Sequence, residues 1–302
     1  MQNMADERFE IIALIFRLAG VRPEYTELET DYQRKVAEAF TKFAEHPAVK
    51  LAKTFDGSNG VWVGYDAVVK FAVHIEKKDN QFVFIDDISS MFDNGRWNEV
   101  AAKEFLPLFN DFYNDTNYAN FFNSHTELFE QNTQKFINEI YDKVDFEWFR
   151  KYVDPSNLRS ICSPSISMHN YGATVNDEII YCVTGGITSS PTVVHEYCHS
   201  FSNPLARKWY KEDEVFKKWC DDSVNTELNP SYTNGWTMSG EYVTRAYTIL
   251  YCCQCDGEVT LKSGKTYKWR ELTPIVMAND YRQGFIYIGG VYEMIFKMER
   301  EK

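Results

Sequence analysis

Residues 189–205 read SSPTVVHEYCHSFSNPL, and the reading of the chain turns on whether this stretch is a helix. Ser190 is a residue type that caps helices, Pro191 suits the first helical position, and nothing breaks the run before Asn203-Pro204. The stretch therefore predicts a helix of about three turns. Residues four apart on a helix share a face, so His195 and His199 can present two imidazole nitrogens to one ion, with Glu196 beside them. H-E-x-x-H on a helix is the arrangement that zinc hydrolases use. Two histidines and one further ligand leave a position for water, whose pKa the ion lowers, and Glu196 is placed to take its proton and pass it to the leaving amine. Cys198, between the histidines, faces away from such an ion.

The third ligand decides the class. A metzincin continues H-E-x-x-H-x-x-G-x-x-H, but here Ser202 and Leu205 stand at the Gly and third His positions, which excludes that class. A gluzincin takes a Glu from a later helix, and the downstream glutamates include Glu212, Glu214, Glu227, Glu241 and Glu258. Glu212 and Glu214 sit in WYKEDEVFKKW, a charge-rich segment that reads as a solvated helix face, and Glu227 sits in the loop-like NTELNPSYTNGW. Glu241 opens GEYVTRAYTILY, where Tyr242, Ala246 and Ile249 can face a core. It is the candidate ligand. Arg245 follows at i+4, so anion and cation share a face; this is either a surface pair worth a few tenths of a kcal/mol or an arginine with a task, holding the ligand carboxylate or binding a substrate carbonyl oxygen. Tyr232, Tyr247 and Tyr281 are further candidates for stabilising a transition state. His46, His125 and His169 read as structural histidines.

The rest of the chain bounds the answer. Its 302 residues are 44% hydrophobic and carry a formal charge of -12, with no basic stripe, so nucleic acid is not an expected partner. The seven cysteines crowd into the second half, are odd in number, and lack the paired spacing of a zinc finger; they predict reduced, mostly packed thiols. IIALIF at 11–16 is too short to span a bilayer and lacks the basic start of an export signal. The sequence as it stands reads as cytoplasmic, although a chain exported and stripped of its signal would read the same.

Residues 1–155 carry helical periodicity almost throughout: ADERFEIIALIFRLAGV as an amphipathic helix ending at Gly20, then TDYQRKVAEAFTKFAEH, WNEVAAKEFLPLFNDFYND and the long YANFFNSHTELFEQNTQKFINEIYDKV. From residue 156 the pattern is mixed. SISMHNYGATV and DEIIYCVTGG read as strands, either of which could wall a cleft and accept an extended peptide. EVTLK and TYKWREL flank Ser263-Gly264 as a hairpin, Thr273-Pro274 opens a helix, and VYEMIFKMERE forms another. The expected fold is α+β and mainly helical, a helical region at 1–155 packed on a zincin-like catalytic region at 156–302 with a small sheet and a metal-binding helix.

HEYCHSFSNP and GEYVTRAY, together with LAGVRPEY, HPAV and GYDAV upstream, resemble a bacterial family of uncharacterised gluzincin-like metallopeptidases over most of the chain. The resemblance implies zinc at His195, His199 and Glu241, with Glu196 as base. The expected function is a zinc metallopeptidase acting on a peptide or protein. The alternatives are a zinc hydrolase of another amide or ester, and a helical scaffold protein with a structural or vestigial metal site.

Overall fold

The computed structural model describes the chain except for residues 1–3, 28–29, 94, 167–168, 177, 186–187, 225, 227, 229–231, 262 and 302. It is mainly helical with small sheets, as the periodicity predicts. The chain forms two compact units, residues 1–138 with 157–188 and residues 139–156 with 189–302. The boundary expected at 155/156 is therefore replaced by two crossings, and the hydrogen bonds of each unit explain why.

In the first unit, helices α1 (Glu7–Ala19), α2 (Pro23–Thr26), α3 (Asp31–Phe40), α4 (Pro47–Lys53), α5 (Asp66–Val73), α6 (Glu99–Asp115), α7 (Tyr118–Asn123) and α8 (Thr126–Glu139) surround a core of aliphatic and aromatic side chains. Asp6 caps α1 by accepting from the Arg8 N–H, and Gly20 ends it at φ 71°. Rather than lying amphipathically at the surface, α1 is buried on every side from Phe9 to Arg17. A helix of that kind runs through a core, and the two charged residues of the buried stretch, Glu10 and Arg17, need internal partners. The Glu10 carboxyl, fully buried, accepts from the Tyr32 hydroxyl at 2.6 Å, the Ser165 hydroxyl at 2.7 Å, the Ser165 N–H at 3.2 Å and the Ser163 hydroxyl. Arg17 donates through Nη2 to the Ser165 carbonyl at 2.7 Å.

These bonds fasten residues 163–165 to α1, so the strands on either side belong to the first unit. Strands β3 (Leu158–Cys162), β4 (Asn170–Val175) and β5 (Ile179–Thr184) form a sheet of order β3-β5-β4, parallel between β3 and β5 and antiparallel between β5 and β4. Strand β3 and a hairpin of β1 (Ile75–Lys78) and β2 (Gln81–Phe84) were not expected from the helical periodicity. DEIIYCVTGG, expected as a possible cleft wall, supplies the central strand β5; both its edges are already paired, so it cannot accept another strand. Two of the upstream motifs meet here. The Tyr65 N–H of GYDAV donates to Glu24 Oε1 at 2.9 Å, and the Tyr25 hydroxyl of LAGVRPEY donates to the Tyr65 carbonyl at 2.9 Å, at a backbone held at φ 50°.

In the second unit, α12 (Gly235–Gln254) is central and packs against α10 (Ser190–Glu212), α11 (Glu214–Asp222), α13 (Trp269–Arg282) and α14 (Ile288–Arg300). Residues 139–156, with α9 (Phe146–Phe149), belong here because the Trp148 indole donates to Gln254 Oε1 at 2.8 Å and the Tyr152 hydroxyl donates to Glu299 Oε2 at 3.0 Å. Tyr152 also stacks on Phe201 at 4.3 Å. Helix α10 does not stop at Asn203-Pro204 but runs through Pro204 for two more turns, because Ser202 and Ala206 stay buried on the face that packs against α12. Its cap position is Ser189, not Ser190, with no side-chain cap bond. Similarly α13 begins at Trp269, leaving Pro274 inside it rather than at its start. The hairpin around Ser263-Gly264 is present as β6 (Glu258–Thr260) and β7 (Thr266–Lys268). Among the described residues, which include all seven cysteines, there is no disulfide, and six of the cysteines are buried. No described helix is long and apolar enough to cross a membrane.

The Glu10 hub predicts that Glu10→Ala, which strands several buried donors at once, destabilises the protein by about 3 kcal/mol or more. Urea denaturation checks it, and a loss below about 1 kcal/mol would show that the buried hub is replaceable.

Candidate metal centre

Two helices build the centre, and short-range packing sets how closely they approach. Helix α10 buries Val193, Val194, Tyr197 and Cys198, which leaves His195, Glu196 and His199 half-buried on its adjacent stripe. Asn234 caps helix α12, its side chain accepting from the Thr237 N–H at 2.8 Å. Gly235 and Gly240 allow close contact there: a Cβ on Gly235 would lie 2.0 Å from Asp221 Oδ1, and one on Gly240 would lie 3.0 Å from Asn203 Oδ1. Glu241, next to that second glycine, is thereby brought to the two histidines.

The three side chains converge. His195 Nε2 and His199 Nε2 are 3.2 Å apart, Glu241 Oε2 is 3.6 Å from the first and Glu241 Oε1 is 3.5 Å from the second. The three side chains are 16%, 20% and 16% exposed. Among the described residues this is the one group of histidine, cysteine and acidic side chains that could hold a metal ion. The ligand expectation thus falls on residues that the fold brings together, whereas Glu212, Glu214 and Glu258 are exposed and lie outside the group. Glu227 lies outside the described residues.

The electrostatics suit ligands. Burial pushes the His195 pKa down to about 4, against the opposing pull of Glu241, so its imidazole is neutral at neutral pH with a lone pair to offer. Burial alone would raise the Glu241 carboxyl; its polar neighbours His195 and His199 and the cation Arg245 outweigh it and hold the carboxyl well below the usual range. It is an anion. His199 directs Nε2 at the centre because its Nδ1 faces Thr244 Oγ1 at 3.0 Å and Asn203 Oδ1 at 3.3 Å, two oxygens to which an Nδ1–H can donate. Thr244 is in turn 2.6 Å from Ser202 Oγ, so a chain of hydroxyls ties α10 to α12 behind the ligand.

Arg245 is half-buried beside the centre, not on an open helix surface. Its Nη1 donates to Asp280 Oδ1 at 2.6 Å, Phe285 lies 4.0 Å from the guanidinium, and Nε comes to 3.5 Å from Glu241 Oε2 without making a hydrogen bond. Of the three tyrosines, Tyr232 is the one at the centre: burial and the neighbouring Glu241 raise its phenol, with Arg245 pulling the other way. Tyr247 instead donates to Glu299 Oε1 at 3.0 Å, and Tyr281 is 57% exposed. His46, His125 and His169 belong to the first unit, where His46 Nδ1 caps α4 by accepting from the Ala48 N–H. Asn203, Thr244 and Asp280 were not anticipated. Asn203 and Thr244 lie within the two quoted motifs, so their closeness to the histidine and glutamate was the available signal; Asp280 had none.

Comparison with protein-family models, curated proteins and solved structures found no match. What the centre can do rests on its own geometry.

Replacing Thr244 by Val removes one of the two oxygens facing His199 Nδ1 and should weaken divalent-metal affinity by about 10- to 100-fold while the protein stays folded. Competition against a chromophoric chelator measures it; an affinity equal to the parent protein would show that the hydroxyl does not orient the ring.

Proposed function

We propose that this protein is a zinc-dependent hydrolase whose natural substrates are peptide bonds. The observation that carries the reading is the triangle of donors. Zinc–nitrogen bonds of about 2.0–2.1 Å at the tetrahedral angle put ligand atoms roughly 3.3–3.4 Å apart, against roughly 3.0 Å for neighbouring positions of an octahedral site at like bond lengths. A separation of 3.2 Å between the two imidazole nitrogens, with the two Glu241 oxygens 3.6 and 3.5 Å from them, favours the first. His195, His199 and Glu241 would hold the ion. Bound there, zinc would supply a Lewis acid and a water of lowered pKa at its fourth position.

The chain supplies the remainder. Glu196 follows His195 on α10, so it borders the ligand face, half-buried, where a carboxylate can accept the proton of the attacking water and return it to the leaving amine. The His199 ring is fixed before substrate arrives by Thr244 and Asn203, and the α10–α12 packing brings Glu241 to both histidines. Tyr232 and Arg245 border the ligand carboxylate and are the two groups placed to favour negative charge developing nearby. The resemblance of HEYCHSFSNP and GEYVTRAY to gluzincin-like metallopeptidases bears on the fold and the metal more than on the substrate, so a broad peptide library is what separates peptide from another amide or ester.

Protein purified without chelators should carry one zinc per chain and cleave members of a broad peptide library. Glu196→Gln should keep the zinc and lower turnover by at least about 100-fold. A Glu196→Gln protein with full turnover would contradict the role of the base, and cleavage confined to non-peptide esters or amides would replace the peptidase by the wider hydrolase class.

A further inference from the structure

Helix α12 carries a built-in conflict. Glu241 and Arg245 are one turn apart and both largely buried, at 16% and 17% side-chain exposure. A guanidinium is shaped to grip a carboxylate with two parallel hydrogen bonds, and burial strengthens that grip. Were Arg245 to close on Glu241 in this way, it would occupy the oxygens that face His195 and His199. It does not close. Arg245 Nε stands 3.5 Å from Glu241 Oε2 and makes no hydrogen bond, whereas Nη1 donates to Asp280 Oδ1 at 2.6 Å and reaches Gln283 Oε1 at 3.4 Å, with the Phe285 ring against the guanidinium face.

Asp280, on α13, is 2% exposed, and its second oxygen, Oδ2, has no hydrogen-bond partner. A buried carboxylate satisfied on one side only is costly to the fold, so its retention calls for another use. Among the described residues, the cation it pairs with is the cation that competes for the ligand. The competing attraction is comparable in size to the gain: two unit charges a few ångströms apart in a partly buried setting interact strongly enough to decide which carboxylate the guanidinium takes.

We propose that Asp280 is a positioning residue that holds Arg245 away from Glu241, keeping both carboxylate oxygens available to a divalent cation. Arg245 thereby steadies the ligand from one side without sealing it. The inference rests on the metal-site reading above.

Zinc affinity of the full chain, read by competition with a chromophoric chelator, tests it across the parent protein, Asp280→Asn, Arg245→Met and the double variant. Asp280→Asn should weaken zinc by about 10- to 100-fold, because the released guanidinium then closes on Glu241. Arg245→Met, which loses the steadying charge but cannot close on the ligand, sets the reference affinity, and adding Asp280→Asn to it should change that affinity by less than about threefold, since nothing is left to hold back. Equal losses from Asp280→Asn with and without Arg245 would overturn the proposal by assigning Asp280 to general stability, as would no loss in either. If Asp280→Asn alone fails to fold, the double variant, in which neither buried charge is stranded, still decides by comparison with Arg245→Met. A parent protein that binds no zinc would instead overturn the metal reading, a result distinct from any pattern among the variants.

Discussion

The approach of α12 to α10 is the constraint on which the centre depends. Two histidines on one helix form only an edge, and an edge binds metal weakly; the third donor must arrive from a separate element at a fixed distance. Gly240 removes the side chain that would collide with Asn203, and the Ser202–Thr244–His199 chain of hydrogen bonds locks the two helices at that spacing. One turn of each helix thus does three things at once. It sets the helix spacing, fixes the rotation of the His199 ring, and delivers the Glu241 carboxylate to within 3.6 Å of both imidazole nitrogens.

The surroundings divide the labour of keeping these donors in the right protonation state. Burial suppresses the charge on His195, and the nearby positive and hydrogen-bonding groups preserve the charge on Glu241. A metal centre needs both, a neutral imidazole and an ionised carboxylate, in the same poorly solvated pocket of side chains. Arg245 contributes to the second but is a hazard to it, which is why its main bond runs to Asp280 and why the aromatic ring of Phe285 covers its other face.

Legibility in the sequence followed the range of the interaction. The spacing of His195 and His199 and the glutamate beside the first are local, so helical periodicity was enough to place them on one face. Glu241 could be picked out because a carboxylate opening an apolar run, with a cation one turn later, is unusual. Asp280, Thr244 and Asn203 were not legible as site residues, since what they do is set by contacts across α10, α12 and α13. The same rule explains the fold. Pro204 and Pro274 suggested helix boundaries, but packing carried α10 and α13 past them. The division at 155/156 failed because Glu10 and Arg17 reach more than a hundred residues along the chain to fix 163–165, a bond that no local pattern announces. The β1–β2 hairpin went unread for a related reason: IEKKDNQFVF turns at Asp79 and Asn80, both at positive φ, within a region whose neighbours are all helical.

The most direct measurement of the central claim is an anomalous-difference map recorded at the zinc edge from crystals soaked in zinc. The account predicts one strong peak about 2 Å from His195 Nε2, His199 Nε2 and a Glu241 oxygen. The absence of a peak there, or a peak that leaves Glu241 uncoordinated, would contradict it.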